Sequence, residues 1–285
     1  MEPSPSQPLT LSASPSPADA GDASPVCRRT PVRPWQRWLS ATSHWLLPPR
    51  CVLCGTTPDA GPGALCAGCR GDLRTNEPAC PRCAEPLLRP EPVCGRCLRH
   101  EPPFDSAFAA CRYAWPLDGL VARFKFNGDV AAGRCLADLF VAGLEQGPVP
   151  RPDLIVPVPL HRHRLRRRGY DQALELARDI RRGTGIPVAG NLLRRLRPTH
   201  AQTELDLASR RRNVRGAFAV HPGTRQRLPA DPAVALFDDV MTTGSTLAEC
   251  ARSLRRAGIR RIQVWVIARA PAGASGLGRS GAKRL

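Results

Sequence analysis

Eight cysteines in four CxxC pairs constrain this chain more than any other feature. They are Cys51 and Cys54 in CVLC, Cys66 and Cys69 in CAGC, Cys80 and Cys83 in CPRC, and Cys94 and Cys97 in CGRC. A two-residue spacer lets one tight turn present two thiolates to a single ion, and zinc takes four in a tetrahedron. Four pairs therefore predict two structural Zn2+ sites. Sequential pairing is the default, with the first two pairs on one ion and the last two on the other. All-cysteine coordination leaves no open position for catalytic water. A disulfide framework is the competing reading, but it belongs to exported chains. The first residues lack the basic start and continuous apolar core of a signal peptide. Cys27, Cys111, Cys135 and Cys250 fall outside the pattern and are expected to be packing or surface residues.

The 285 residues suffice for a small metal module and one larger domain. Residues 1–33 form a Pro/Ser/Ala-rich tract with few bulky apolar side chains, which predicts disorder. In PWQRWLSATSHWLL, residues Trp35, Trp38, Leu39, Trp45 and Leu46 recur at helical spacing, which predicts an amphipathic helix ending at Pro48 and Pro49. No stretch is apolar for long enough to span a membrane, and a cytoplasmic protein is expected.

From about Phe104 the pattern changes to alternating strands and helices. DLIVPVPL (153–160), AVALFDDV (233–240) and IQVWVIARA (262–270) read as buried strands. DQALELARDIRRGTG (171–185) and STLAECARSLRRAG (245–258) read as helices closed by glycine. Such units predict a parallel sheet, whose ligands bind beyond the carboxyl ends of its strands.

One of those ends carries Asp238 and Asp239, followed by Thr242, Thr243, Gly244, Ser245 and Thr246 at a helix start. Amides at a helix N-terminus cradle anions, glycine lets the backbone approach, and hydroxyls add donors. No Walker pattern is present. Paired carboxylates beside a phosphate cradle suit a sugar phosphate, the acids accepting hydrogen bonds from its hydroxyls. They also suit Mg2+, which favours oxygen ligands shared with substrate.

The formal charge is +18, and of 42 Lys and Arg residues only Lys125 and Lys283 are lysines. Residues 161–215 hold 15 Arg against 5 acids, so the excess forms one block suited to phosphate-rich partners. Within it, Arg166, Arg167 and Arg168 in HRHRLRRRG are the nucleic-acid candidates. Aromatic residues make up only 5% of the chain, so any single-strand binding should be backbone-driven and salt-dependent.

ALFDDVMTTGST resembles the phosphoribosyl pyrophosphate (PRPP) motif of type I phosphoribosyltransferases. The whole layout resembles the ComF family, competence-associated proteins with a cysteine-rich zinc module ahead of a phosphoribosyltransferase domain. The stretches carrying the likeness are LLPPRCVLCG, FKFNGD (124–129), VPVPLHRHRLRRRGYDQALELA (156–177) and AQTELDLASRRRNVRGAF (201–218). The resemblance implies an α/β parallel-sheet type I phosphoribosyltransferase fold at 104–271. Ahead of it would stand the helix and double zinc ribbon at 34–103, and after it a flexible tail at 272–285.

The resemblance further makes Asp238 and Asp239 the ribose contacts and catalytic acids, with Val240, Met241, Thr242, Thr243, Gly244, Ser245 and Thr246 completing the PRPP motif. Leu160, His161 and Arg162 would form the pyrophosphate loop. Gln202, Arg210 and Arg211 would belong to a mobile loop over the substrate. Where the family shows RGFNQ, this chain has RGYDQ, which places the acid Asp171 where an amide is usual. PRPP with Mg2+, single-stranded DNA and competence or DNA-processing proteins are the implied partners. Three functions follow: transfer of phosphoribosyl to an unidentified acceptor, PRPP sensing without turnover, and nucleic-acid handling on the same scaffold.

Overall fold

The structure is a computed structural model that describes residues 50–57, 64–161, 165, 166, 168–197 and 212–271. The tails expected at 1–33 and 272–285, the helix expected at 35–46, and Arg162, Arg167, Gln202, Arg210 and Arg211 lie outside the described residues.

Four strands form the main sheet, three of them the apolar runs seen in the sequence and one, Ser106–Arg112, not read from it. They are β1 (Ser106–Arg112), β2 (Leu154–Pro157), β5 (Ala233–Met241) and β6 (Arg261–Arg269), all parallel and ordered β1-β6-β5-β2. Strands covered on both faces read as continuous apolar runs rather than alternating ones, and β6 is buried from Ile262 to its end. Successive side chains still point to opposite faces. Phe237, Trp265 and Ile267 therefore pack on one side with Leu120, Leu136, Phe140 and Ile180. These come from α3 (Leu117–Asn127), α4 (Val130–Gln146) and α5 (Gln172–Thr184). On the other side Leu236, Val264 and Val266 meet Leu247, Cys250 and Leu254 of α7 (Ser245–Arg256).

The remaining elements are short: α1 (Ala67–Gly71), α2 (Gly95–Arg99), α6 (Pro222–Arg225) and an antiparallel pair, β3 (Leu193–Arg195) with β4 (Phe218–Val220). The first expected strand, 153–160, pairs only over its first half. Pro157 and Pro159 have no N–H to donate to a ladder, so β2 stops at Pro157.

The cysteine module packs directly on the edge strand β1 within the unit Pro48–Leu285. Asn76 N–H donates to the Ala110 carbonyl at 3.2 Å, and Ala107 N–H to that of Pro81 at 3.0 Å. An antiparallel bridge joins Thr75 to Cys111. The module thus covers a sheet edge that would otherwise expose unpaired backbone groups.

Candidate functional site

Asp238 and Asp239 stand near the carboxyl end of β5, with Asp238 opposite Val266 of β6. Neighbouring residues of a strand face opposite ways, so the two acids divide the rim between them. Asp239 is buried and its Oδ2 lies 2.9 Å from Lys125 Nζ, at the end of α3. Its Oδ1 accepts from the Val240 N–H at 2.7 Å. Asp238 Oδ1 accepts from the Asp239 N–H at 2.9 Å.

Burial raises the Asp238 carboxyl, and the charge of Asp239 beside it raises it further, to about 7 against the partial relief from Lys125. For Lys125, burial pulls the ammonium down, but the carboxylates of Asp239 and then Asp238 outweigh it and hold its pKa above the ordinary value. The rim thus carries one buried ion pair and one carboxylate able to change its proton near neutrality.

Behind the acids the chain turns at Gly244, whose φ of 75° is the left-handed conformation that glycine adopts freely, and α7 begins. Thr243 Oγ1 and Ser245 Oγ lie 3.0 Å apart across this turn. The first amides of α7 supply the positive end of a twelve-residue helix beside the acid rim. Met241 contributes differently from the loop that follows it. Its side chain is buried in the core, and its carbonyl accepts from Ala270 N–H at 3.0 Å.

The turn after β2 lies alongside, because Val158 N–H donates to the Phe237 carbonyl at 2.8 Å. Asp171 fixes that turn. Its Oδ2 accepts from Leu160 N–H at 2.8 Å, while its Oδ1 accepts from Leu174 N–H at 3.2 Å and caps α5. Two amides on two separate oxygens account for the acid in RGYDQ, since an amide side chain has only one acceptor atom. Burial raises the Asp171 carboxyl despite these bonds. His161 is half-buried at the end of the turn. Arg166 is exposed, whereas Arg168 lies 5.2 Å from the Phe126 ring centre and donates to Gln172 Oε1 at 3.0 Å.

FKFNGD divides into parts. Gly128, at a φ of 65°, closes α3, and Asp129 caps α4 through the Ala132 N–H at 3.0 Å. Asp129 also pairs with Arg123 at 2.6 Å. Tyr170 of RGYDQ donates its hydroxyl to the Phe124 carbonyl. That bond ties the turn near β2 to the helix that carries Lys125. The role of Lys125 was not read from the sequence. The available signal was a lone lysine in the body of an arginine-rich chain.

The eight cysteines form two clusters, Cys51/Cys54/Cys66/Cys69 and Cys80/Cys83/Cys94/Cys97, in the sequential pairing. In each, all four sulfurs lie within 4.8 Å of one another. Zinc at about 2.3 Å from four sulfurs requires sulfur–sulfur edges of about 3.8 Å. The observed 3.7 Å for Cys54–Cys66 and 3.6 Å for Cys83–Cys94 fit. Backbone amides also point at the sulfurs, Cys69 N–H to Cys66 Sγ at 3.4 Å and Cys94 N–H to Cys80 Sγ at 3.3 Å. Cys111, Cys135 and Cys250 are buried packing residues.

The second cluster reaches the anion loop through two arginines. Arg269, fully buried at the end of β6, donates to the carbonyls of Cys83 at 3.2 Å and Met241 at 3.1 Å. It also donates to the Thr242 and Ala270 carbonyls and pairs with Glu85. Arg96 of α2 reaches the Thr243 carbonyl at 3.5 Å.

A parallel sheet with an acid-and-hydroxyl rim, packed with two four-cysteine clusters of which the second reaches the loop behind the acids, defines a zinc-ribbon α/β protein. Residues 42–98 match the double zinc ribbon domain family. The chain is 36% identical to Competence protein F of Haemophilus influenzae over 225 residues, covering 78% of this chain and 97% of that one. It is 32% identical to DNA utilization protein YhgH of Escherichia coli (strain K12) over 228 residues, covering 78% and 98%. The chain belongs to this competence protein F, or ComF, family.

Among solved structures, it is similar to the glutamine PRPP amidotransferase from B. subtilis at 23% identity and a TM-score of 0.30. That match covers 47% of this chain but spans only 25% of the amidotransferase. It is similar to adenine phosphoribosyltransferase from Leishmania tarentolae at 12% identity and a TM-score of 0.32, over 54% of this chain and 78% of that one. Likenesses this slight do not bear on function. Among the described residues no helix is long and apolar enough to cross a membrane.

Proposed function

We propose that the rim binds PRPP with Mg2+ and that the chain is a phosphoribosyltransferase-type protein. Asp238 and Asp239 face the ribose hydroxyls, and the segment Thr242 to Thr246 holds the 5-phosphate on the first amides of α7. The turn at Leu160, His161 and Arg162 meets the diphosphate, and the segment of Gln202, Arg210 and Arg211 covers it. In a transfer, the bond from ribose C1 to the diphosphate oxygen breaks, the oxygen leaves with the electron pair, and an acceptor atom bonds to C1. The protein's part is positioning and stabilisation of charge on the leaving group. Mg2+ would share oxygens with the substrate and neutralise the departing diphosphate.

One observation carries this reading: two acids with different environments stand on a strand end, just ahead of a left-handed glycine that opens a helix. The test is thermal denaturation with and without PRPP and Mg2+. A rise in melting temperature that disappears in Asp238→Asn/Asp239→Asn supports the site, and no rise in the native protein removes it. Release of diphosphate with a panel of bases and amines then separates transfer from sensing.

A second role favoured by a specific observation is handling of single-stranded DNA. Relatives of the chain are named for competence and DNA utilization, and 15 arginines concentrate in residues 161–215. Two thiolate zinc sites suit a reducing compartment, so the proposed location is the cytoplasm.

A further inference from the structure

A cavity of about 800 Å³ opens beside the loop Thr243 to Ser245, and neither Asp238 nor Asp239 lines it. It runs from Thr243, Gly244 and Ser245 along the outer face of α7, with the second cysteine cluster as its far wall. Five arginines line it: Arg96, Arg212, Arg215, Arg252 and Arg256. The acids in the lining are Glu101 and Glu249, leaving an excess of three positive charges. Glu101 is already paired with Arg82 outside the cavity.

Glu249 shows that the arrangement is built rather than merely solvated. Its side chain is 3% exposed, and it pairs with Arg252 at 2.9 Å and with Arg256 at 3.3 Å. The two arginine side chains remain 49% and 65% exposed. A buried acid thus orients two guanidinium groups whose outer faces stay open to the cavity. The same carboxylate accepts from the Gly216 N–H at 2.9 Å, which brings the segment carrying Arg212 and Arg215 over the groove. Ordinary surface arginines carry no such buried anchor.

Length decides the kind of ligand. From Ser245 to Arg256 the helix rises about 16 Å, far more than one phosphate group spans. Among the described residues the groove exposes no Phe, Tyr or Trp, since Phe104 in its wall is only 3% exposed; His100 is the one exposed ring in the lining. A row of guanidinium groups with a single imidazole beside it suits an extended polyanion held chiefly by its backbone.

We infer that this groove, and not the HRHRLRRRG turn, is the seat of a single-stranded phosphodiester chain running along α7 towards the anion loop. The inference rests on the DNA-handling reading above and adds a location, a direction and a recognition chemistry to it. Arg212, Arg215, Arg252 and Arg256 contact successive phosphates. The shared wall at Thr243 to Ser245 makes the strand and a ribose phosphate neighbours at one loop.

The experiment measures binding of labelled oligothymidylates of increasing length to the full chain by fluorescence anisotropy over a salt series. Thymidine monophosphate and inorganic phosphate serve as competitors. Arg215→Ser/Arg252→Ser is expected to weaken binding about tenfold at physiological salt and to lower the salt slope by about 1.4, about 0.7 for each phosphate no longer neutralised. Arg166→Ser/Arg168→Ser is expected to leave both nearly unchanged. Affinity should rise with length, and the single phosphates should compete poorly. The exposed single variant Arg215→Glu provides the same reading if the double variant melts early.

Asp238→Asn/Asp239→Asn separates this inference from the PRPP reading, because it should abolish the PRPP-induced melting shift while leaving oligothymidylate binding intact. Equal loss in the Arg166/Arg168 variant, no loss in the Arg215/Arg252 variant, or length-independent binding displaced by inorganic phosphate would each overturn the groove.

Discussion

Lys125 Nζ lies 2.9 Å from Asp239 Oδ2, joining the end of α3 to the end of β5 across 114 residues of sequence. Both side chains are mostly buried, at 22% and 11% exposure. Lys125→Met leaves the Asp239 carboxylate without its cation, and removing one member of a buried pair costs about 3 kcal/mol or more. The expected result is a clear fall in denaturant midpoint at unchanged slope. Lys125→Met/Asp239→Asn should recover most of the loss, which a double-mutant cycle measures. Lys125→Arg should not restore the native value, because a planar fork does not replace a compact ammonium.

Asp238 gives the site a pH dependence of definite sign. Its folded pKa is raised to about 7, whereas an unfolded aspartate titrates near about 4. Between those values the folded chain holds a proton that the unfolded chain has lost. The contribution of this group to stability therefore falls as pH rises from about 4 to about 7 and is flat above. In the proposed role, binding of PRPP with Mg2+ would need the ionised acid and run the other way. It should strengthen from about pH 6 to about pH 8, by up to about tenfold per unit on the acid side. Calorimetry on the native protein and Asp238→Asn checks this, because the variant should lose the part of the slope that the ligand's own titration does not supply.

Asp171 makes two bonds with two oxygens, so Asp171→Asn should keep only one of them. Asparagine is as good a helix cap as aspartate, and α5 should persist. The bond to Leu160 is the one expected to go, leaving faster amide exchange at 158–161 with little change in overall melting. Asp171→Ala should remove both and cost about 1–2 kcal/mol. Exchange mass spectrometry and denaturant unfolding distinguish the two outcomes.

The two zinc sites should differ in what their loss does. The second cluster connects to the anion loop through Arg269 and Arg96, while the first reaches α3 through the Val52 carbonyl, which accepts from Arg123. Cys94→Ser is expected to increase amide exchange at 241–246 and weaken the PRPP-induced melting shift. Cys54→Ser should instead loosen 117–127 and leave the anion loop protected. Arg269→Met should reproduce the Cys94 phenotype with zinc still bound, which metal analysis of the purified variant verifies.

The cysteine spacing and the β5–loop–α7 motif were legible because each is local. A two-residue spacer or a glycine before a helix acts within one turn of chain. Asp171 stood out as a departure, but its role required the Leu160 amide, eleven residues away. β1 escaped notice because SAFAACR is rich in alanine and lacks the β-branched run that marks β5 and β6. It is a strand by tertiary context, paired in register with β6 more than 150 residues later. Lys125 and Arg269 were missed for the same reason. In sequence they are a basic residue on a helix and one at a strand end, and only the fold gives them partners.

The position of Arg269 also sets an order of assembly. The cysteine module is translated well before β6, yet one guanidinium on that last strand holds the Cys83 carbonyl, Glu85 and the Met241 and Thr242 carbonyls that lead into the turn at Gly244. Strand β1, on which the module rests, likewise finds its sheet neighbour in β6. The first part of the body to leave the ribosome therefore gains its last partners, at Cys83 and Glu85, only when the final strand is in place.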